Sequence, residues 1–289
     1  MQLSRRGFLA SAVAAAAPAA QAPPERRPLA RRLSIMIGGF YGKLPLFERL
    51  EKLASIRYPA FEGIRWQNED LDAIREKTRS LHLEIAHIGG SRSLKGPAGA
   101  MVDPAERENF LSHLSVAVKA AQKLGTRRVL VLTGDELPNR SQEDQRRSII
   151  DGLRAARAVV EPAGITLIVE LLNTLVDHPG YYLNSTPEGV RIIDAVASPN
   201  VKLLNDLYHM QIMEGNLIAN LTKYIDRIDH FHVADVPGRR EPGTGEVNYR
   251  KVFEGIAKTN FQGYVAMEYR PTIDHLESLQ QIQRMAADL

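Results

Sequence analysis

The chain predicts an α/β fold, a single-domain (β/α)8 TIM barrel over residues 33–289, and three observations point there. Short apolar or β-branched runs recur eight times, and amphipathic stretches long enough for helices separate them. The 289 residues also suffice for one barrel of about 250. An open, doubly wound sheet would carry a Gly-x-Gly-x-x-Gly loop after its first strand, whereas Gly38-Gly39-Phe40-Tyr41-Gly42 lacks that spacing.

The first three strands are expected at 33–38, 61–66 and 83–88. Residues 104–124 then place Phe110, Leu114, Val118 and Ala121 on one helical face and stop at Gly125. Strand four, 127–133, follows at once. Ser141 with Asp144 marks the next helix start, Ile149, Leu153, Ala156 and Val160 repeat at helical spacing, and Pro162 and Gly164 close it. After strand five, 166–172, Thr186-Pro187-Glu188 opens a helix with Pro in its first turn and an acid at its positive end. Strands six, seven and eight are expected at 201–206, 228–234 and 263–269, and nothing signals a second domain.

Residues 1–22 read as an address. Ser4-Arg5-Arg6-Gly7-Phe8-Leu9 precedes small apolar residues from Ala10 to Ala20, with a cleavage site expected near Ala20-Gln21-Ala22. This resembles a twin-arginine signal peptide, so a periplasmic or extracellular location is expected. Residues 23–32 are read as a Pro- and Arg-rich linker. The formal charge of +3 falls to about +1 without Arg5 and Arg6, which gives nucleic-acid binding no support. No apolar run approaches the roughly 20 residues of a membrane span, so no membrane association is expected after signal removal. The absence of cysteine excludes disulfides, a thiolate nucleophile and a cysteine zinc site.

Four successive strands end on polar residues, where a barrel of this kind keeps its active site. They read Thr166-Leu-Ile-Val-Glu170, Val201-Lys-Leu-Leu-Asn-Asp206, Ile228-Asp-His-Phe-His232 and Gly263-Tyr-Val-Ala-Met-Glu268. Three carboxylates and one imidazole suit one divalent ion, Mn²⁺ or Mg²⁺ first and Co²⁺ as an alternative. Without a cation, burying the three acids together is unfavourable through desolvation and repulsion. His87, at the end of strand three, is read either as a pocket residue or as a packed histidine. Trp66 and Phe40 are candidates for an apolar wall beside the substrate.

At these residues the chain resembles the xylose isomerase-like TIM-barrel superfamily and, within it, the hydroxypyruvate isomerase family. The resemblance covers nearly all of 33–289. It rests on Val169-Glu-Leu-Leu-Asn173, Asn205-Asp-Leu-Tyr-His-Met-Gln211, His230-Phe-His-Val-Ala-Asp-Val-Pro-Gly-Arg239 and Met267-Glu-Tyr-Arg270. It implies that Glu170, Asp206, His232 and Glu268 bind the metal, and that Glu170 and Glu268 also carry the substrate proton. His209 and Arg239 would contact substrate oxygens. At position 232 hydroxypyruvate isomerases often have Gln, whereas ketose 3-epimerases have His, as here.

The expected reaction moves a carbonyl between adjacent carbons of a small 2-hydroxy carbonyl compound through an enediolate, as in hydroxypyruvate to tartronate semialdehyde. An exported ketose 3-epimerase or keto-sugar epimerase or lyase is the alternative, and a sugar-binding barrel without catalysis is a further one. A DNA repair endonuclease of the same fold would need more histidine ligands than Leu132-Thr-Gly-Asp135 and Asp235 offer. The segment from Pro237 to Glu246, rich in Gly and Pro, fits a shaped loop over the barrel mouth. Small molecules are the expected partners, and a homo-oligomer is left open.

Overall fold

The computed structural model describes residues 27–91 and 99–289. The expected signal peptide and residues 23–26 lie outside the described residues. Among the described residues nine strands run in parallel: β1 (Leu33–Ile35), β2 (Ala60–Phe61), β3 (Glu84–Ile85), β4 (Ile88–Gly89), β5 (Arg128–Val131), β6 (Thr166–Glu170), β7 (Val201–Asp206), β8 (Ile228–Val233) and β9 (Tyr264–Met267). The ladder β1-β9-β8-β7-β6-β5-β4 is continuous, and β2 pairs with β3. A bridge between Met36 and Glu62 joins β1 to β2, with Glu62 N–H donating to Ile35 O at 2.8 Å. The ring is thereby closed as a barrel.

The third expected strand, 83–88, is split. Its first part pairs with β2 and its second with β5, because the inward-facing His87 sits where one neighbour is exchanged for the other. The first two strands are also shorter than expected, each giving way to a 3-10 turn, Ile37–Gly39 and Trp66–Asn68. Strand β6 carries a continuous apolar run, Leu167 to Val169, as parallel strands buried on both faces do, whereas β8 interleaves Asp229, His230 and His232 with its apolar residues.

Helices α1 (Leu46–Ser55), α2 (Leu71–Ser80), α3 (Arg107–Leu124), α4 (Gln142–Val160), α5 (Thr186–Val196), α6 (Leu207–Met213), α7 (Leu217–Tyr224), α8 (Tyr249–Ala257) and α9 (His275–Ala286) connect and follow the strands, with none between β3 and β4 and two, α6 and α7, between β7 and β8. Their starts follow capping chemistry. Asp70 accepts from Asp72 N–H and Ala73 N–H at α2, and Ser141 accepts from Asp144 N–H at α4. The helix expected at 104–124 opens as a 3-10 turn, Pro104–Glu106, before α3. It ends at Gly125, whose φ of 78° is the left-handed cap that glycine supplies.

Of the expected linker, residues 27–32 pack onto the barrel. Leu29 is fully buried and its N–H donates to Leu289 O at 2.8 Å. The end of the barrel where strands begin is stoppered by polar contacts. Arg128, first in β5, meets Asp229 at 2.5 Å and lies 5.1 Å from the ring of Tyr264, first in β9. The Tyr264 hydroxyl donates to Glu84, first in β3.

Candidate active site

The register of the parallel ladder brings the four strand-end residues together. Asp206 lies opposite His232, Glu170 opposite Leu204, and Val233 opposite Met267, immediately before Glu268. His232 Nδ1 is 2.8 Å from Glu268 Oε2, 3.1 Å from Glu170 Oε1 and 3.8 Å from Asp206 Oδ2. One donor atom from each of the four lies within 4.8 Å of the others.

Asp206 has two tasks. Its Oδ1 caps α6, accepting from Tyr208 N–H at 2.8 Å and His209 N–H at 3.2 Å, while Oδ2 faces the cluster. Both Asp206 Oδ2 and His232 Nδ1 are buried with no hydrogen-bond partner, although carboxylates surround them. Such atoms, in a set of three carboxylates and one imidazole, fit a divalent cation.

The electrostatics agree with this. Burial, together with Glu268 and Glu170, pushes the Asp206 carboxyl up to about 7 against the pull of Arg239 and His232. Burial also opposes ionisation of Glu268, but His232 and Arg239 outweigh it and hold that carboxyl well below the usual range. On His232 burial disfavours charge, and Glu268, Glu170 and Glu62 overcome it to raise the imidazole well above its ordinary value. The cluster therefore favours positive charge at its centre, whether a proton or a metal ion.

Arg239 reaches this cluster from the loop after β8. Its Nη2 is 2.8 Å from Glu268 Oε2 and 3.6 Å from Asp206 Oδ2, and its guanidinium sits 5.1 Å from the Tyr208 ring centroid. The backbone at Arg239 is left-handed, φ 53°, a conformation that needs support in a non-glycine residue. Asp235 supplies it. Its carboxylate accepts from the N–H groups of Val236, Gly243, Gly245 and Val247 at 2.8–3.1 Å, and its own N–H donates to Arg240 O at 2.8 Å. Gly245 must be glycine here, since a Cβ would run into the Val236 carbonyl and the Asp235 carboxylate. Asp235 is thus an organiser of the loop, with its oxygens already occupied.

Two adjoining cavities share Met36, Arg239 and Glu268 in their walls. One, of about 520 Å³, also has Asp177, Arg240, Tyr269 and Arg270. The other, of about 370 Å³, has His87, Glu170, Leu132, Leu172, His178 and His232. His87 therefore does face the site, and its Nε2 is also 3.1 Å from Glu62 Oε1. His209 is fully buried behind Asp206, its Nε2 3.4 Å from Oδ2, while Asn173 contacts its Nδ1 at 2.6 Å. Burial, then Arg239, drive its pKa down to about 2, so it is neutral. Trp66 lines neither cavity. Its indole N–H donates to Gly89 O at 2.8 Å and ties the segment after β2 to β4. Phe40 is buried against Tyr269 and His275.

Sequence reasoning missed Glu62, His230, Arg240 and Arg270. For His230 a signal existed, because residues two apart on a strand share a face and His232 was already placed inside. Glu62 gave none, since one acid in a short strand reads as a solvated end.

The comparisons with known proteins come to the same place. Residues 50–287 match the family model described as a xylose isomerase-like TIM barrel. The chain is 31% identical to the hydroxypyruvate isomerase of Escherichia coli over 242 residues, 83% of this chain and 93% of that one. It is 32% identical to the 2-oxo-tetronate isomerase of Cupriavidus necator over 176 residues, 61% of this chain and 67% of that one. A crystal structure described as an AP endonuclease, family 2, from Brucella melitensis superposes with a TM-score of 0.80 at 26% identity, covering 89% of this chain and 99% of that one. The fold, the convergent strand ends and these matches together place the chain in the xylose isomerase-like TIM-barrel family, and within it among the hydroxypyruvate isomerases.

Proposed function

We propose that this isomerase acts on a small 2-keto acid bearing a neighbouring hydroxyl, with hydroxypyruvate and tartronate semialdehyde as the interconverted pair. The observation that carries the reading is the company Glu268 keeps. The cavity it lines also holds Arg239, Arg240 and Arg270, three cations suited to a substrate carboxylate and superfluous for a neutral sugar. The relatives' names, hydroxypyruvate isomerase and 2-oxo-tetronate isomerase, both denote such acids.

Glu170, Asp206, His232 and Glu268 would hold one divalent ion, Mn²⁺ or Mg²⁺ first and Co²⁺ as an alternative. That ion would supply Lewis-acid polarisation of the carbonyl and stabilise negative charge on oxygen. Glu268, ionised and beside the cavity, takes the proton from the hydroxyl-bearing carbon. Glu170 handles the proton on the other side of the enediol, and the two exchange duties in the reverse direction. Asp206, fixed to α6, serves as a ligand alone. Arg239 orients the substrate carboxylate and keeps Glu268 ionised. His209 is a neutral support behind Asp206, and Trp66 braces the wall; substrate contact through either runs by way of these neighbours.

A keto-sugar epimerase is the second reading, favoured by His232 and by a cavity roomier than a three-carbon acid needs. NMR in D₂O with Mn²⁺ decides between them, using hydroxypyruvate, short ketoses and 3-keto sugars. Deuterium appearing in the hydroxypyruvate pair supports the acid isomerase, and exchange confined to neutral sugars replaces it with the epimerase. We further propose that residues 1–22 direct export by the twin-arginine route.

A further inference from the structure

We propose a second cation site one layer beneath the first, formed by the Glu62 carboxylate and the Nε2 atoms of His87 and His230, with Zn²⁺ or Co²⁺ as its ion. The layering follows from strand geometry. His230 and His232 stand two apart on β8 and both point into the barrel, so one strand serves two levels. Glu62 follows β2, and His87 lies between β3 and β4. All four side chains are buried, with Glu62 and His230 at 0% exposure.

The donor atoms converge. His87 Nε2 is 3.1 Å from Glu62 Oε1, and His230 Nε2 is 3.1 Å from Oε2. The two rings stand edge to face, 5.0 Å between centroids, and one donor atom from each of Glu62, His87, His230 and His232 lies within 4.8 Å of the rest. Zinc–nitrogen bonds of about 2.0–2.1 Å at tetrahedral angles put neighbouring donors roughly 3.3 Å apart. The two histidine–carboxylate pairs therefore need to open by only a few tenths of an ångström.

Hydrogen bonding accounts for part of this cluster and fails for the rest. Ser34 Oγ donates to Glu62 Oε2 at 3.0 Å, and His232 Nε2 lies 2.8 Å from Oε1. His230, however, has no hydrogen-bond partner at either ring nitrogen. Its Nε2 is close to the carboxylate but not aimed as a donor to it, which is unusual for an imidazole wholly out of solvent. Two imidazoles and a carboxylate with two oxygens form a set that zinc takes, unlike the oxygen-rich outer cluster.

The inner ion would be enclosed and would act on structure and charge. Glu62 would bind it on one side and hold the His232 Nε2–H on the other, so the inner ion would bear on the outer site through a carboxylate and a ring. His87 and His232, which line the 370 Å³ cavity, mark the way in.

The test is a metal count on the purified, chelator-stripped protein, titrated with Co²⁺ and separately with Zn²⁺. Wild type should bind two ions per chain and His230→Gln one, while Asp206→Asn should lose the outer ion and keep the inner. The inner Co²⁺, held by two imidazoles and a carboxylate at a low coordination number, should show a visible absorption several-fold stronger than the outer, and this band should vanish in His230→Gln. Two ions in both wild type and His230→Gln, or a single wild-type ion that is lost in Asp206→Asn and kept in His230→Gln, would overturn the proposal; a single ion lost only in His230→Gln would support the inner site and count against the outer one. Anomalous diffraction from Zn²⁺-soaked wild-type crystals answers the question independently of how any variant folds: a peak between Glu62, His87 and His230 supports the site, and none rejects it.

Discussion

Asp206 couples a helix to the outer cluster, because one oxygen holds the first turn of α6 and the other faces His232. Its carboxyl, pushed up to about 7, retains a proton that an unfolded chain has lost. Between about pH 4, the unfolded value, and about 7 this carboxyl therefore holds more proton in the metal-free native state than in the unfolded chain, and its own contribution to stability falls as pH rises. His232, raised above its ordinary value, acts in the same direction at higher pH. The lowered values of Glu268 and Glu62 contribute stability already complete above the ordinary carboxylate range, so they leave the slope unchanged. His209 and His230, held neutral in the fold at about 2 and about 3, oppose this below about pH 6.5, where an unfolded histidine is protonated. Thermal melts should therefore show the chelator-treated protein losing stability as pH rises above about 7, while a Mn²⁺-loaded sample stays nearly flat there because the ion replaces the protons of Asp206 and His232. Mn²⁺ affinity should climb over the same interval; a pH-independent affinity would sink this account. For the chemistry, Glu268→Gln should lower kcat by about 10²–10⁴-fold and abolish solvent-deuterium incorporation into substrate. Unchanged exchange would remove Glu268 from the proton path. Glu170, Asp206, His232 and Glu268 were legible in the sequence because each stands at or near the C-terminal end of an expected strand. Glu62 and His230 were not, since their importance lies in a meeting across the barrel that only closure creates.

At the scale of elements, the loop after β8 is built around one carboxylate. Asp235→Ala would strand four backbone N–H groups and release Arg239 from its left-handed backbone. KM for an acidic substrate should rise at least about tenfold, the equivalent of roughly 1.4 kcal/mol of lost positioning, with a smaller effect on kcat. Steady-state kinetics separate the two, and an unchanged KM would show that the loop does not position Arg239. Caps were the most legible elements. Ser141 and Gly125 were placed from residue type alone, and Ser141→Ala should cost about 1 kcal/mol of stability in denaturant melts. The third strand was misjudged as one piece because a run of apolar residues does not reveal which neighbour each residue pairs with, and here it changes partner at His87.

For the whole molecule, alternation of apolar runs made the barrel readable, whereas its shape at the two ends came from long-range contacts that no local pattern encodes. If residues 1–22 serve export, Arg5→Lys with Arg6→Lys should leave a fused reporter in the cytoplasm, and a reporter still exported would refute the route. The two ends of the barrel are unlike: the strand-start end is stoppered by Arg128, Asp229, Tyr264 and Glu84, and beneath the site Glu62 and His230 are sealed from solvent. Among the described residues this leaves the cavities beside Glu268 as the way through. Substrate and product must then use one doorway in turn, so the product should inhibit competitively, raising apparent KM without lowering the maximal rate.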